Sequence, residues 1–404
     1  MQPFTPSWYM ILASYWFASS FKWAAVLLAL LPGRVAQLVP DEQKAGALGL
    51  LFATGAVMAF VGPPLTGYLS DRVGRRMPFL AIGAVLTAVA LVWMAHAPNY
   101  AVLFAAYILL QIADDLGTGP YSALIPDLVP RSKRGAASGY LGTMQMIGNI
   151  AAAVLIFSLP NVTGQFYVLA GVNLLAALLV LRAIQEVPGL RQRQLSFVQS
   201  MLAPWKNPDF RWVWATRFFA MLGQYSVQTY LLYYLSDVVR TFDAFGLHLV
   251  DPAQAVGVLG LMIFVGGALS AVYAGRRSDQ LGRKRLIYVS GIGLSLVMLP
   301  ILMLPRFDLL VALALIFGVF FGIYLAVDWA LVADVLPDPE GYATDMGLWQ
   351  TSIVLPQVIA GSFGGLIDRA NQASAGSGYT LVFLLAAGFF LLGTFLVRQI
   401  RGAR

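Results

Sequence analysis

Residues Gln111–Asn149 read QIADDLGTGPYSALIPDLVPRSKRGAASGYLGTMQMIGN. This stretch lies inside a long apolar run yet opens with two adjacent carboxylates, Asp114 and Asp115. It passes Gly119-Pro120, ends a helix at Asp127–Pro130, turns through Arg131, Lys133 and Arg134, and enters a second apolar helix carrying Gln145 and Asn149. A carboxylate at the centre of a bilayer costs roughly 2.5–3.5 kcal/mol on insertion scales, so it faces a partner or a wet cavity. Two in succession mark a functional site in a membrane.

Outward from that stretch the apolar runs continue along the whole chain. Its 404 residues are 59% hydrophobic and 11% charged, with mean hydropathy +0.75. A spanning helix takes about 20 apolar residues. On that measure spans fall at 7–32, 45–69, 77–96, 99–127, 136–160, 165–186, 208–237, 252–275, 285–305, 308–335, 342–367 and 377–399. The expected fold is an all-α membrane protein of twelve transmembrane helices in two six-helix bundles. The runs lack period-two alternation and are too long for barrel strands.

The net charge of +7 sets orientation and implies no nucleic-acid partner. Twenty Lys and Arg residues fall in the termini and the loops after even-numbered spans, Arg211 and Arg217 among them, and five fall on the other side. The positive-inside rule then places both termini in the cytoplasm, in a multi-pass protein of the inner (plasma) membrane. Lys22 is read as the one basic residue inside a span. It lies about ten residues from either end of its helix, or ~15 Å, beyond the reach of snorkelling. The absence of cysteine excludes disulfides, thiol catalysis and thiolate metal sites. His96 and His248 fall at helix ends or outer loops, and MQPFTPSW shows no cleavable signal. No nucleotide loop, nucleophile–base pair or metal cluster is visible, so neither an enzyme nor a cofactor is expected.

The chain repeats itself. Asp71-Arg-Val-Gly74-Arg-Arg matches Asp279-Gln-Leu-Gly282-Arg-Lys, 208 positions on. Ala123–Pro130 matches Ala330–Pro337 at an offset of 207, and Gly142-Thr-Met-Gln145 matches Gly347-Leu-Trp-Gln350 more weakly. The expected domains are 1–186 and 208–404, joined by a polar cytoplasmic linker at 187–207. Two parallel halves with a midplane site between them form a transporter arrangement.

The D-R-x-G-R-R loop, repeated in the second half of a twelve-span chain, resembles the signature of the major facilitator superfamily. Several stretches are similar to the sucrose/proton symporters and the glycoside–pentoside–hexuronide symporters. Phe21-Lys22-Trp23-Ala24 with Leu30-Leu31-Pro32 resembles their F-G-W-A…L-L-T-P, and Gly74–Phe79 resembles G-R-R-R-P-F. Asp114–Asp127 resembles N-N-T-L-Q-G-P-x-R-A-L-x-x-D, and Gly347–Gln357 resembles G-x-L-N-x-x-x-x-x-P-Q. Three departures stand out: Lys22 replaces a glycine, Asp114-Asp115 replace an amide pair, and Tyr121-Ser122 replace an arginine. The fifth span lacks the G-P-x-x-G-G pattern of drug antiporters, which weighs against drug export.

The resemblance implies a cavity lined by the first, fourth, seventh and tenth spans, helped by the fifth and eleventh. Those spans offer Trp23, Gln111, Tyr121, Gln145, Asn149, Gln224, Tyr225, Gln228, Asp328, Trp329, Trp349, Gln350 and Gln357 to a substrate. Amides and hydroxyls would hydrogen-bond a sugar and aromatic rings would cover its C–H face. Gln224 and Gln228 are i,i+4, and Asp114 and Tyr121 are i,i+7, so each pair shares a helix face. Lys22, Asp114 and Asp115 are the expected ion-coupling residues. Adjacent helical residues point about 100° apart, and Asp114 is assigned to Lys22 because it shares the Tyr121 face. A sodium site is the alternative, with Thr118 one turn away.

The expected gate is Gly67, Asp71, Arg72, Arg75, Arg76, Asp127, Arg134, Asp279, Gly282, Arg283 and Asp334 at the cytoplasmic face. Asp71 and Asp279 would cap helix ends there, and the arginines would pair with Asp127 or Asp334. The function expected is import of a sugar or glycoside by alternating access, proton-coupled, in a monomer. The alternatives are export of an amphipathic compound or lysolipid, and sodium coupling.

Overall fold

The computed structural model describes residues 4–40, 43–159, 161–186, 195–336, 338–374 and 376–402. Twelve long helices account for most of them: α1 Pro6–Leu38, α2 Lys44–Val73, α3 Met77–Ala95, α4 Tyr100–Leu128, α5 Arg134–Ser158, α6 Val162–Ala183, α7 Pro208–Tyr234, α8 Pro252–Leu281, α9 Arg283–Met303, α10 Phe307–Val335, α11 Tyr342–Gly361 and α12 Ser377–Leu396. Eleven are long and apolar enough to cross a membrane. The remaining helix, α7, carries Arg211, Arg217, Gln224 and Gln228, which dilute its hydropathy. The only strands among the described residues, Phe242–Ala244 and Leu247–Leu249, make a short antiparallel hairpin after α7.

Helix boundaries follow from local chemistry. The side chains of Thr5, Asn99 and Asn161 each accept a first-turn N–H at the start of α1, α4 and α6. Gly74 and Gly282, the glycines of the repeated loop, have φ of +72° and +92°. Only glycine enters that region without a Cβ penalty, so it recurs where the chain turns sharply out of α2 and α8. Helix α2 therefore runs two residues past Asp71, which sits in its last turn rather than ending it. Pi-helical segments at Val26–Leu30 in α1 and Leu235–Val239 after α7 fall at matching places in the two repeats.

Packing follows the repeat. Helix α1 packs on α5 and α6, α4 on α2 and α3, and α3 on α6; α7, α10 and α9 make the corresponding contacts with α11, α12 and α8. The halves meet where α2 lies on α11 and α5 on α8. Glycines permit the approach. A Cβ on Gly67 would strike the Ala343–Thr344 backbone, and one on Gly275 would strike Gly135 and Gly139. This seam reaches from the arginine-rich end up to Met146 against Gly267 and Pro63 against Gly347. Towards the other end, Gly49 on α2, Gly257 and Gly260 on α8 and Gly361 on α11 have nothing within 4 Å of an added Cβ. The halves are thus closed against each other at the basic end.

Of the expected linker, residues 187–194, with Arg191, Gln192, Arg193 and Gln194 among them, lie outside the described residues. The remainder contains a short helix, Phe197–Leu202, opened by a Ser196–Gln199 capping box.

A leucine at Gly275 cannot be seated with the basic end shut, since overpacking costs about 1–3 kcal/mol. In this cysteine-free chain the seam can be read with one introduced thiol at Ala333, 2% exposed behind the α5 contact. Gly275→Leu should raise maleimide labelling of Ala333→Cys about fivefold or more, in line with that cost. Unchanged labelling would mean that the seam is not the closing element.

Candidate functional site

The centre of the first half holds a sealed ion pair. Lys22 of α1, fully buried, is bonded to Asp114 Oδ1 of α4. The Trp23 indole donates to Asp114 Oδ2 at 2.6 Å, and Ser19 Oγ approaches Oδ1 at 3.5 Å. The ammonium also lies 5.1 Å from the Trp23 ring centroid. Lys22 is 16 residues from Pro6 and Asp114 is 14 from Leu128, so both sit roughly 20–25 Å from the basic end of their helices. Asp115 turns the other way, onto α2. Its carboxylate occupies the space a Cβ on Gly62 would need, and its carbonyl accepts from Thr66 Oγ1 at 2.7 Å. The 100° step along the helix thus divides the two acids as expected, Asp114 going to Lys22. Thr118 is committed locally, donating to the Asp114 carbonyl at 2.8 Å.

The second half holds another pair, and here the sequence reading is corrected. Arg217, counted above with the basic loops, lies inside α7 and is 2% exposed. Its Nη1 donates to Asp328 Oδ2 of α10 at 2.7 Å. Lys22 is therefore not the only base within a span, although the charge bias between the two sides survives the reassignment. A signal was available: nine residues, or ~13 Å, separate Arg217 from the start of its helix at Pro208. Each half thus joins a base on its first helix to an acid on its fourth. The depths differ. Asp328 aligns with Tyr121 rather than Asp114, and it lies seven residues, ~10 Å, nearer the basic end.

Aromatic rings connect the two regions. Tyr15 meets Tyr121 edge-on at 5.2 Å, Trp16 lies 6.0 Å from Tyr121, and Trp16 meets Trp329 at 5.0 Å across the halves. Trp329 meets Trp349 at 5.0 Å, and the Arg217 guanidinium lies 3.5 Å from the Trp349 ring centroid. The Tyr121 hydroxyl is spent on the Leu12 carbonyl. Gln111 donates to Tyr107 at 3.0 Å, and Tyr225 is hydrogen-bonded to Gln357. Gln145, Asn149, Gln224 and Gln350 are half-buried; Gln228 and Gln357 are exposed.

At the basic end two acids clamp the halves by one device used twice. Asp71 accepts from the backbone N–H groups of Ala343 and Thr344 at 3.2 and 2.7 Å, at the start of α11. Asp279 accepts from Gly135 and Ala136 at 2.9 and 3.0 Å, at the start of α5. Each carboxylate meets the positive end of a helix dipole belonging to the opposite half. They do not cap their own helices, as the sequence suggested. Arg76 links Asp71 to Asp127 at 2.7 and 3.0 Å, and Arg283 links Asp279 to Asp334 at 2.6 and 3.2 Å. Burial pulls the Arg76 guanidinium towards neutrality, but Asp127 and Asp71 outweigh it and raise its pKa. Arg134 crosses the seam to Asp334 at 3.2 Å. Arg72 and Arg75 stand apart: Arg72 bonds Tyr68 at 3.1 Å and Arg75, largely exposed, lies 3.9 Å from Glu186.

A profile of the Major Facilitator Superfamily matches residues 6–247 and 243–401. The chain belongs to that superfamily. It is therefore a multi-pass membrane transporter and not an enzyme. It is 34% identical over 130 residues to the class G tetracycline resistance protein of Vibrio anguillarum, covering 32% of this chain and 33% of that one. The match thus spans about a third of that relative's length. The multi-drug resistance efflux pump PmrA of Streptococcus pneumoniae is 25% identical over 290 residues, 68% of each chain. A shorter match, 30% over 142 residues and 28% of this chain and 27% of the other, is to the sucrose transport protein SUC4 of Arabidopsis thaliana. The fold of the human organic anion transporter MFSD10 superposes with a TM-score of 0.78 at 17% identity, covering 98% of this chain and all of that one.

Breaking a buried pair from one side costs about 3–5 kcal/mol, whereas removing both charges is nearly neutral. Lys22→Met alone should therefore sharply lower the thermal unfolding midpoint of the purified protein. Lys22→Met/Asp114→Asn should recover most of the loss. A double variant as unstable as the single would show that the charges are not coupled.

Proposed function

We propose that this transporter exports small amphipathic organic compounds in exchange for protons, by alternating access. The observation that carries the coupling is the Lys22–Asp114 pair, sealed at mid-membrane with both carboxylate oxygens occupied. Two carboxyls and one ammonium lie in succession here, so Lys22, Asp114 and Asp115 together are neutral only with one proton bound. A proton arriving from the side opposite the basic end releases Lys22 from Asp114, and its departure restores the pair. Trp23 and Ser19 hold the carboxylate in place. Binding a proton thereby alters the charge at the point where α1 meets α4.

Residues 1–186 and 208–404 act in this reading as two rigid bodies joined by 187–207. Opening the basic end withdraws Asp71 from α11 and Asp279 from α5 and parts Arg134 from Asp334. Those contacts are short and directional, so they are made or broken as a set, which suits rocking between two states.

The choice of substrate rests on what the polar groups are doing. Gln111, Tyr121 and Trp23, expected to meet a sugar, are engaged within the protein. The ground between the halves is aromatic, and the efflux pumps among the relatives point the same way. A second reading, sugar import, is favoured by Gln145, Asn149, Gln224, Gln228 and Gln350, which remain for hydroxyl recognition, and by the partial likeness to a sucrose transport protein.

The test is flux into everted proteoliposomes with an acid lumen. A fluorescent amphiphile should accumulate, and Asp114→Asn should abolish accumulation while substrate exchange, which moves no net proton, persists. Accumulation that follows sodium and ignores pH would reassign the ion. Accumulation of sugars by right-side-out vesicles in acid medium would replace export by the second reading.

A further inference from the structure

The Arg217 region contains polar atoms without partners. The indole N–H groups of Trp329 and Trp349 and Arg217 Nε are all buried and unmet. All three residues are at most 2% exposed. Asp328 has the Tyr324 hydroxyl as a hydrogen-bond partner besides Arg217. Buried polar groups in folded proteins are almost always hydrogen-bonded, so three orphan donors on touching side chains mark a place where a partner comes and goes. The contacts make this one cluster: Arg217 is 2.7 Å from Asp328, and its guanidinium is 3.5 and 5.8 Å from the Trp349 and Trp329 ring centroids.

The chemistry of the orphans defines the partner. Indole N–H and guanidinium Nε–H only donate, so all three unmet positions require an acceptor. A cation is repelled by Arg217. A polyhydroxylated neutral molecule would need donors and acceptors in comparable number, and the unmet positions are all donors. The matching group is an anion with several lone pairs, of which a carboxylate is the simplest. The adjoining Trp16, Trp329 and Trp349 rings suit a flat apolar body attached to it.

We infer that Arg217, Trp329 and Trp349 form a carboxylate-binding subsite that loads organic anions from the basic side of the membrane. The inference rests on the export reading and narrows its substrates to amphipathic carboxylates. The cluster is sealed in the present state. Below it the Asp71, Asp279 and Arg134 contacts close the basic end, and beside it Trp16 abuts Trp329 across the halves. Parting the halves at that end separates those two rings and uncovers the N–H groups. Asp328 holds Arg217 and is the internal competitor that the substrate carboxylate displaces. The second charge pair therefore lies nearer the basic end than Lys22–Asp114: anion capture comes first along the export path and proton exchange lies deeper.

Binding to the full-length protein in nanodiscs tests this, with the basic end freed by Asp71→Asn. Three matched probes are titrated by calorimetry: 2-naphthoate, 2-naphthamide and 2-naphthylmethylammonium. Naphthoate should bind about tenfold or more tighter than the amide, as expected when a charged hydrogen bond is gained. Trp349→Phe, which keeps the ring and removes the N–H, should narrow that preference severalfold. Arg217→Gln/Asp328→Asn, which removes both charges without leaving one unpaired, should abolish it. Asp328→Asn alone should tighten naphthoate binding, an effect that a purely structural ion pair would not produce.

Equal affinity for acid and amide, a preference that survives Arg217→Gln/Asp328→Asn, or weaker naphthoate binding in Asp328→Asn would overturn the subsite. The Asp328→Asn and Trp349→Phe results stand even if the double variant does not fold. Proton-driven accumulation of neutral or cationic amphiphiles with no carboxylate preference would reject the subsite and leave the export reading intact. Loss of coupled flux for every probe would reject both.

Discussion

An ionised side chain in hydrocarbon must find a counter-charge or water, and the interior of this protein is arranged by that demand. Lys22 cannot reach either membrane surface. Its one recourse is Asp114, which fixes the approach of α1 to α4 and directs Asp115 to the opposite side, against α2. Arg217 and Asp328 impose the same condition on α7 and α10. Because a buried pair adds little stability beyond what its own desolvation costs, neither pair is explained by stability alone. Both stand where the fold would be served as well by leucine and methionine, in the helices whose relative movement defines transport.

The closed end depends on a different use of charge. Asp71 and Asp279 each lend a carboxylate to the N-terminus of a helix in the other half, so the bond belongs to the relation between the bodies and to neither body by itself. The glycines at 67, 135, 139 and 275 let backbones touch there, and the arginines at 76 and 283 brace the two acids from behind. Rocking the halves apart costs all of these contacts together, which favours two discrete states over a continuous range. Between the gate and the mid-membrane pair runs the aromatic chain from Tyr15 to Trp349, so movement at one level is felt at the next.

Relatives of this chain include both efflux pumps and a sucrose transport protein, so the shared scaffold does not by itself fix the substrate. Lys22, Asp114-Asp115 and Tyr121-Ser122 were the positions where this chain departs from the sucrose-symporter pattern. All of them lie on or beside α1 and α4. The fifth span lacks the glycine–proline pattern of drug antiporters although efflux pumps are among the relatives, so that pattern did not by itself decide the substrate class.

Much was legible in the sequence because hydrocarbon is an unforgiving solvent. Runs of about twenty apolar residues require helices, skewed arginines require an orientation, and a loop repeated 208 positions on requires two like halves. That Asp114 and Asp115 point different ways followed from the 100° step between adjacent helical residues, and Asp114 was assigned to Lys22 on the face it shares with Tyr121. Arg217 was missed because a positive charge near a helix start looks the same in sequence whether it points to water or inward. The arginine pairs of Asp127 and Asp334 were recognised, but the partners of Asp71 and Asp279 across the halves were not, since backbone N–H groups at the start of a distant helix have no signature in composition. Which acid faces which base, which indoles are left without partners and which end is shut were decided only by the tertiary structure, because each depends on the distance between segments about a hundred or more residues apart in the chain.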